Sequence, residues 1–145
     1  MSLRPGESPG FLLWHATLRW QREISAALAP LGLTHVQFVL LACAWWLNSQ
    51  GERPNQLSVA RQAGIDVKMA SQVLRALEAK GLVERTVDPS DTRAKLLRVT
   101  DAGADLAPLA VAAVERADAL FFEPVPVEDA VSLLGRLADP ESRLQ

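Results

Sequence analysis

The sequence has one cysteine, two histidines and no hydrophobic run long enough to cross a bilayer. Each scarcity removes a class of function. A lone Cys43 forms no internal disulfide and offers no paired metal spacing, which suits a reducing compartment and makes the cytoplasm the expected location. Cys43 lies in the uncharged stretch 39–47, where a thiol acts as a small buried hydrophobe rather than a redox sensor. That stretch falls far short of the ~20 residues a membrane span needs, so no membrane association is expected. His15 and His35 are far apart and have neither a partner one helical turn away nor a carboxylate cluster beside them. Core or capping roles suit them better than metal ligation. With no Ser-His-Asp set and no glycine-rich phosphate loop, neither an enzyme nor a cofactor is expected. The first ten residues hold Arg4, Pro5, Glu7 and Pro9 in place of a basic segment leading into an apolar one. They read as a loose arm, not a signal peptide.

What is present is ordinary in amount and uneven in placement. A chain of 145 residues, 49% hydrophobic and 22% charged, can build one globular domain with a real core, so a single domain over 1–145 is expected. The net charge of -2 argues against a nucleic-acid partner until its distribution is counted. Residues 53–98 carry nine bases against five acids, a local +4, which leaves -6 for the rest. A basic middle between acidic ends suits a chain that offers one face to phosphates and assembles through the others.

Turn and cap signals divide the chain into short, mostly helical units. Residues 11–28 show near-helical apolar spacing, ended by Pro30 and Gly32. Thr34 and Gln37 form a capping box for a buried helix over 36–47. Asn55 caps a short helix over 56–63, Gly64-Ile65-Asp66 makes a tight turn, and a helix over 67–80 stops at Gly81. Residues 82–87 and 96–99 read as an antiparallel hairpin around the turn chemistry of Asp88-Pro89-Ser90-Asp91. Thr100 caps a long helix from Asp101 to about Phe122, expected to break or bend near Pro108, and a last helix covers 127–137. The fold class that follows is mainly α with a small β-hairpin wing.

On the 67–80 helix, Ala70, Val73, Leu74 and Leu77 recur at i, i+3, i+4 and i+7 and belong to the core. Lys68, Gln72 and Arg75 then lie opposite, with Met69 and Ser71 on the shoulders, near the end that a recognition helix puts into the major groove. Arg and Gln bind purine edges bidentately, Ser donates or accepts, Met meets a thymine methyl and Lys suits a phosphate. Near the hairpin tip, Arg93 is a long cation suited to a narrow, negative minor groove, with Asp91 to pre-orient it and Lys95 close by. The alternative for Asp91 and Arg93 is an ordinary turn ion pair.

The segments Leu77-Glu78-Ala79-Lys80-Gly81-Leu82-Val83-Glu84-Arg85, Asp88-Pro89-Ser90-Asp91-Thr92-Arg93 and Val99-Thr100-Asp101-Ala102-Gly103 resemble three patterns of the MarR family of bacterial regulators. These are L-E-x-K-G-L-[VI]-x-R, D-x-x-D-x-R and L-T-x-x-G. Thr92 stands where a second arginine is common, and Val99 replaces the usual leucine. The resemblance implies a winged helix-turn-helix core over 34–100, dimerisation helices over 11–33 and 101–145, and a homodimer that binds double-stranded DNA as a repressor. It also implies a wing arginine at Arg93. Redox-sensing members carry their cysteine in the first helix, where this chain has none.

Trp14, Trp20, Trp45 and Trp46 put much aromatic surface on the first two helices, which core or dimer packing explains. The family resemblance adds a sharper alternative: a small aromatic effector in a pocket lined by Trp14, His15, Trp20 and Trp46. A winged-helix protein-interaction module without DNA binding is the competing function.

Overall fold

The computed structural model describes residues 3–139 and 141. The chain divides into two compact units, Ser25–Val114 on the one hand and Met1–Ile24 with Glu115–Gln145 on the other.

The unit Ser25–Val114 contains α2 (His35–Ser49), α3 (Gln56–Ala63), α4 (Val67–Ala79), β1 (Val83–Asp88) and β2 (Asp91–Val99). It also takes in the end of α1 (Pro9–Leu28) and the start of α5 (Asp101–Phe121). Its helix ends are set by local chemistry. Thr34 Oγ1 accepts from the Gln37 amide while the Gln37 side chain accepts from the Thr34 amide, both at 3.2 Å. Asn55 Oδ1 accepts from the Ser58 amide at 2.8 Å, and Gly64 and Gly81, at φ +72° and +74°, close α3 and α4 in the left-handed region that favours glycine. Leu40, Leu41 and Ala44 of α2, Val59 of α3, Ala70, Leu74 and Leu77 of α4, and Val83 and Leu97 of the hairpin form one buried set.

β1 and β2 pair antiparallel from Val83 opposite Val99 to Val87 opposite Lys95, and an irregularity follows Val87. The free edge of β2 is met by a single bridge between Asn55 and Leu96, beside which the Leu97 amide donates to Pro54 O at 2.8 Å. Asn48 fastens α2 to the same strand, accepting from the Val99 amide at 2.9 Å. The Val-Thr-Asp-Ala-Gly segment also has a physical reason. Thr100 Oγ1 donates to Gly81 O and accepts from the Gly103 amide, and a Cβ at Gly103 would lie 2.1 Å from Leu82 O. Only glycine lets α5 start so close to the hairpin.

Three expectations change. β2 begins at Asp91, not at 96, because the polar residues before Leu96 pair with β1 although they lack an apolar alternation. α5 runs unbroken through Pro108. Pro108 and Ala104, whose carbonyl loses its usual partner, both face solvent, while Gly103, Ala107, Ala110 and Val114 hold the opposite face in the core. The N-terminal arm contains an ordered 3₁₀ turn, Pro5–Glu7, in which the Arg4 amide donates to Glu7 Oε2 at 3.3 Å.

In the other unit lie the start of α1, the end of α5 and α6 (Val127–Ala138). Trp20 Nε1 donates to Asp118 Oδ1 at 2.8 Å, and the Arg19 guanidinium lies 5.7 Å from the Phe121 ring centre. Phe11, Leu12, Leu13, Trp14, Leu18, Leu120, Val127, Val131, Leu133 and Leu137 are nonetheless exposed. Among the described residues no single helix is long and apolar enough to cross a membrane.

Candidate nucleic-acid interface

α4 is held at its first turn by Asp66, whose carboxylate accepts from the amides of Lys68 at 2.9 Å and Met69 at 3.2 Å. Asp66 closes the tight turn expected from the sequence and is also the N-cap of α4, a role that an aspartate directly before a helix start already signals. With Ala70, Leu74 and Leu77 buried, Lys68, Met69, Gln72 and Arg75 are exposed and Ser71 is half-buried.

The hairpin brings its own cations to the same side. Ser71 and Arg75 of α4 and Asp91, Arg93 and Lys95 of β2 line one cleft of about 380 Å³, together with Asn55, Gln56, Leu57, Val67, Ala94 and Arg85. Four cationic side chains therefore face one carboxylate across it, a distribution that attracts polyanions. Lys68, Met69 and Gln72 lie on the exposed surface of α4 and are not part of the cleft lining. The Arg93 side chain is 92% exposed, with its Nε 3.4 Å and its amide 3.1 Å from Asp91 Oδ1. One carboxylate oxygen thus touches both the backbone and the side chain of the arginine, and leaves the guanidinium end free to reach outward. The turn before it is tied by Asp88, whose carboxyl is held below its ordinary value by hydrogen bonds from the Ser90 hydroxyl and amide.

In the sequence Arg85 is one of nine bases between 53 and 98 and the closing arginine of the family pattern, with no partner assigned to it. The structure buries its side chain to 8% exposure, with Nη1 donating to Gln56 Oε1 at 2.7 Å and Nη2 to Glu78 Oε1 at 3.2 Å. That hydrogen bond holds the Glu78 carboxyl below the usual carboxylate range. The inward position was legible from strand alternation, since Val83 and Arg85 share one face of β1. On the other face Glu84 pairs with Arg98 across the ladder at 2.7 Å and raises its pKa.

The residues expected around an effector are less gathered. Trp20 lines a groove of about 370 Å³ with Leu13, Ala16, Thr17, Asp118, Phe121, Phe122 and Leu134. Trp14 and His15 are exposed outside that lining, His15 edge-to-face with Phe11 at 4.5 Å. Trp46 stands exposed on α2 in the other unit, and burial raises the pKa of the nearby Cys43 thiol.

Comparison with known proteins finds a family match inside Ser25–Val114 and relatives along most of the chain. Residues 33–95 match the model of the MarR family. The HTH-type transcriptional regulator YdcH of Bacillus subtilis is 44% identical over 81% of this chain and 80% of its own length. The HTH-type transcriptional repressor Rv2887 of Mycobacterium tuberculosis is 34% identical over 99% and 91%. Among solved structures, CouR from Rhodococcus jostii RHA1 bound to p-coumaroyl-CoA superposes with a TM-score of 0.80 at 31% identity, covering 96% of this chain and 97% of CouR. CouR bound to a 23-mer DNA duplex gives 0.78 at 32% identity over 95% and 97%.

Proposed function

This chain belongs to the MarR family, and from that membership we propose that it is a sequence-specific, DNA-binding transcriptional repressor that acts as a homodimer and answers to a small aromatic effector. The observation that carries the reading is the shared cleft, in which Ser71 and Arg75 of α4 stand beside Asp91, Arg93 and Lys95 of the wing. In this reading α4 enters the major groove, where Gln72 and Arg75 read base edges, Ser71 and Met69 add contacts and Lys68 meets a phosphate. Arg93, pre-set by Asp91, reaches the minor groove, whose pattern is degenerate, and so adds affinity more than base choice. The exposed apolar residues of α1, α5 and α6 supply the dimer contacts, with residues 11–33 and 101–145 as the assembly part and 34–100 as the reading part.

Support for an effector comes from CouR, bound to p-coumaroyl-CoA in its structure, and from the apolar groove beside Trp20. An acyl-aromatic compound is the class to screen, with Trp14, His15, Trp20 and Trp46 as the residues to vary. The cytoplasm is the compartment in which such a regulator meets DNA. A protein-interaction module without DNA binding would have no use for four cations around one cleft.

Selection from random duplex DNA tests the proposal. A two-fold protein with paired recognition helices should enrich an inverted repeat whose half-site centres lie ~10 bp apart. Enrichment of no palindrome at all would remove the regulator reading.

A further inference from the structure

We propose that Arg85 is a positioning residue for DNA binding: it fixes the wing against the recognition helix so that Arg93 and Arg75 engage their grooves together. The proposal rests on the DNA-binding reading above. Arg85 lies on β1, yet its guanidinium ends on the first residue of α3, Gln56, and near the end of α4, on Glu78. One side chain thus joins β1 to α3 and α4, and β1 carries β2, with Arg93 and Lys95, through the ladder. Beyond it Thr86 and Val87 are exposed, so Arg85 is the outermost buried anchor of β1 before the turn.

The chemistry of the anchor argues for position over stability. Arg85 Nε is buried and makes no hydrogen bond to any described residue, and the acid it meets, Glu78, is 40% exposed. A desolvated cation with an unmatched donor and a half-solvated partner is a poor device for holding a core together. A methionine of similar length would fill the space, and because Glu78 keeps its water, the stability lost with the ion pair should be small. What methionine cannot do is hold two acceptors on different helices in one planar fork, which sets both the distance and the orientation of the wing root. The wing cations Arg93 and Lys95 and the helix cation Arg75 line the same cleft as Arg85, so a shift of the wing root alters the span between them.

The test uses the full chain and the duplex that the wild type enriches from random DNA. Arg85→Met should lower the thermal midpoint by only a few degrees and stay fully folded at the assay temperature, while binding that duplex about tenfold more weakly. Most of this loss should vanish when Arg93→Ala is already present, because a wing without its cation has nothing to position. Arg85→Lys, which keeps the charge but not the fork, should recover only part of the affinity. Unchanged affinity of Arg85→Met, full recovery by Arg85→Lys, or a loss that adds completely to that of Arg93→Ala overturns the proposal. If Arg85→Met does not fold, Gln56→Leu and Glu78→Gln carry the same cycle, and additivity in both overturns it. A wild type that enriches no duplex overturns the proposed function as well, which separates that failure from a failure of Arg85 alone.

Discussion

The two units of this chain differ in how completely they satisfy themselves. In Ser25–Val114 the apolar side chains of three helices and a hairpin close on one another, and the polar ends are matched by Thr34, Asn48, Asn55, Asp66 and Thr100. In the unit of the two chain ends, long stretches of Phe, Leu, Trp and Val remain open, and the described polar contacts across it include the bond from Trp20 to Asp118. A closed core explains itself; an open apolar face needs a partner. On the proposed reading the first unit meets DNA and the second supplies the surface for a second copy.

Mutations can break that contrast. The largest effect should come from Leu74→Ala, which empties a fully buried site and should lower unfolding free energy by ~2–5 kcal/mol, independent of protein concentration, in denaturant titrations. Removing residues 127–145 should act differently, weakening self-association by about 100-fold, or ~2.7 kcal/mol, in sedimentation at micromolar concentration. A concentration-independent loss there, or a wild type that sediments as a monomer, would erase the distinction between the units.

Within the reading unit the contrast sharpens between helix and wing. Gln72→Ala or Arg75→Ala should each cost ~1–3 kcal/mol at the preferred site and relax base choice. Arg93→Ala should weaken binding with little change of consensus, and Asp91→Ala should give a milder defect that is less than additive with it. Full additivity in a double-mutant cycle would show that the 3.4 Å contact does not orient the arginine. The smallest effect concerns Glu78, whose carboxyl Arg85 holds below its ordinary value. A depressed carboxylate contributes its stability above the unfolded pKa, ~4.3, and loses it as pH falls through the folded value. Glu78→Gln should thus be less stable than wild type at neutral pH by only a few tenths of a kcal/mol, because the side chain is 40% exposed, with the gap closing in acid.

The helices were legible where their signals are local. Asn55, Gly64 and Gly81 mark the limits of α3 and α4 within a residue, since caps and left-handed glycines act on their immediate neighbours. Of the three changed expectations, the arm turn is a local matter of Arg4 and Glu7, while β2 and α5 depended on distant residues. The first half of β2 is polar and becomes a strand only because β1 lies beside it, and α5 survives Pro108 because its other face is packed. The exposed polar set on α4 follows from periodicity, and the inward side of Arg85 from strand alternation, but its partners on α3 and α4 lie far along the chain and leave no local signal.

Asp66 carries one more consequence. The start of a helix ordinarily presents unpaired amides and a partial positive charge, a natural seat for a phosphate. At α4 the carboxylate of Asp66 already occupies the amides of Lys68 and Met69 and adds a negative charge of its own. On the proposed reading a phosphate near that end meets the Lys68 side chain and not the helix amides, which Asp66 already holds. If α4 reads DNA as proposed, side chains alone speak for it, and its choice of one sequence over another rests on their chemistry.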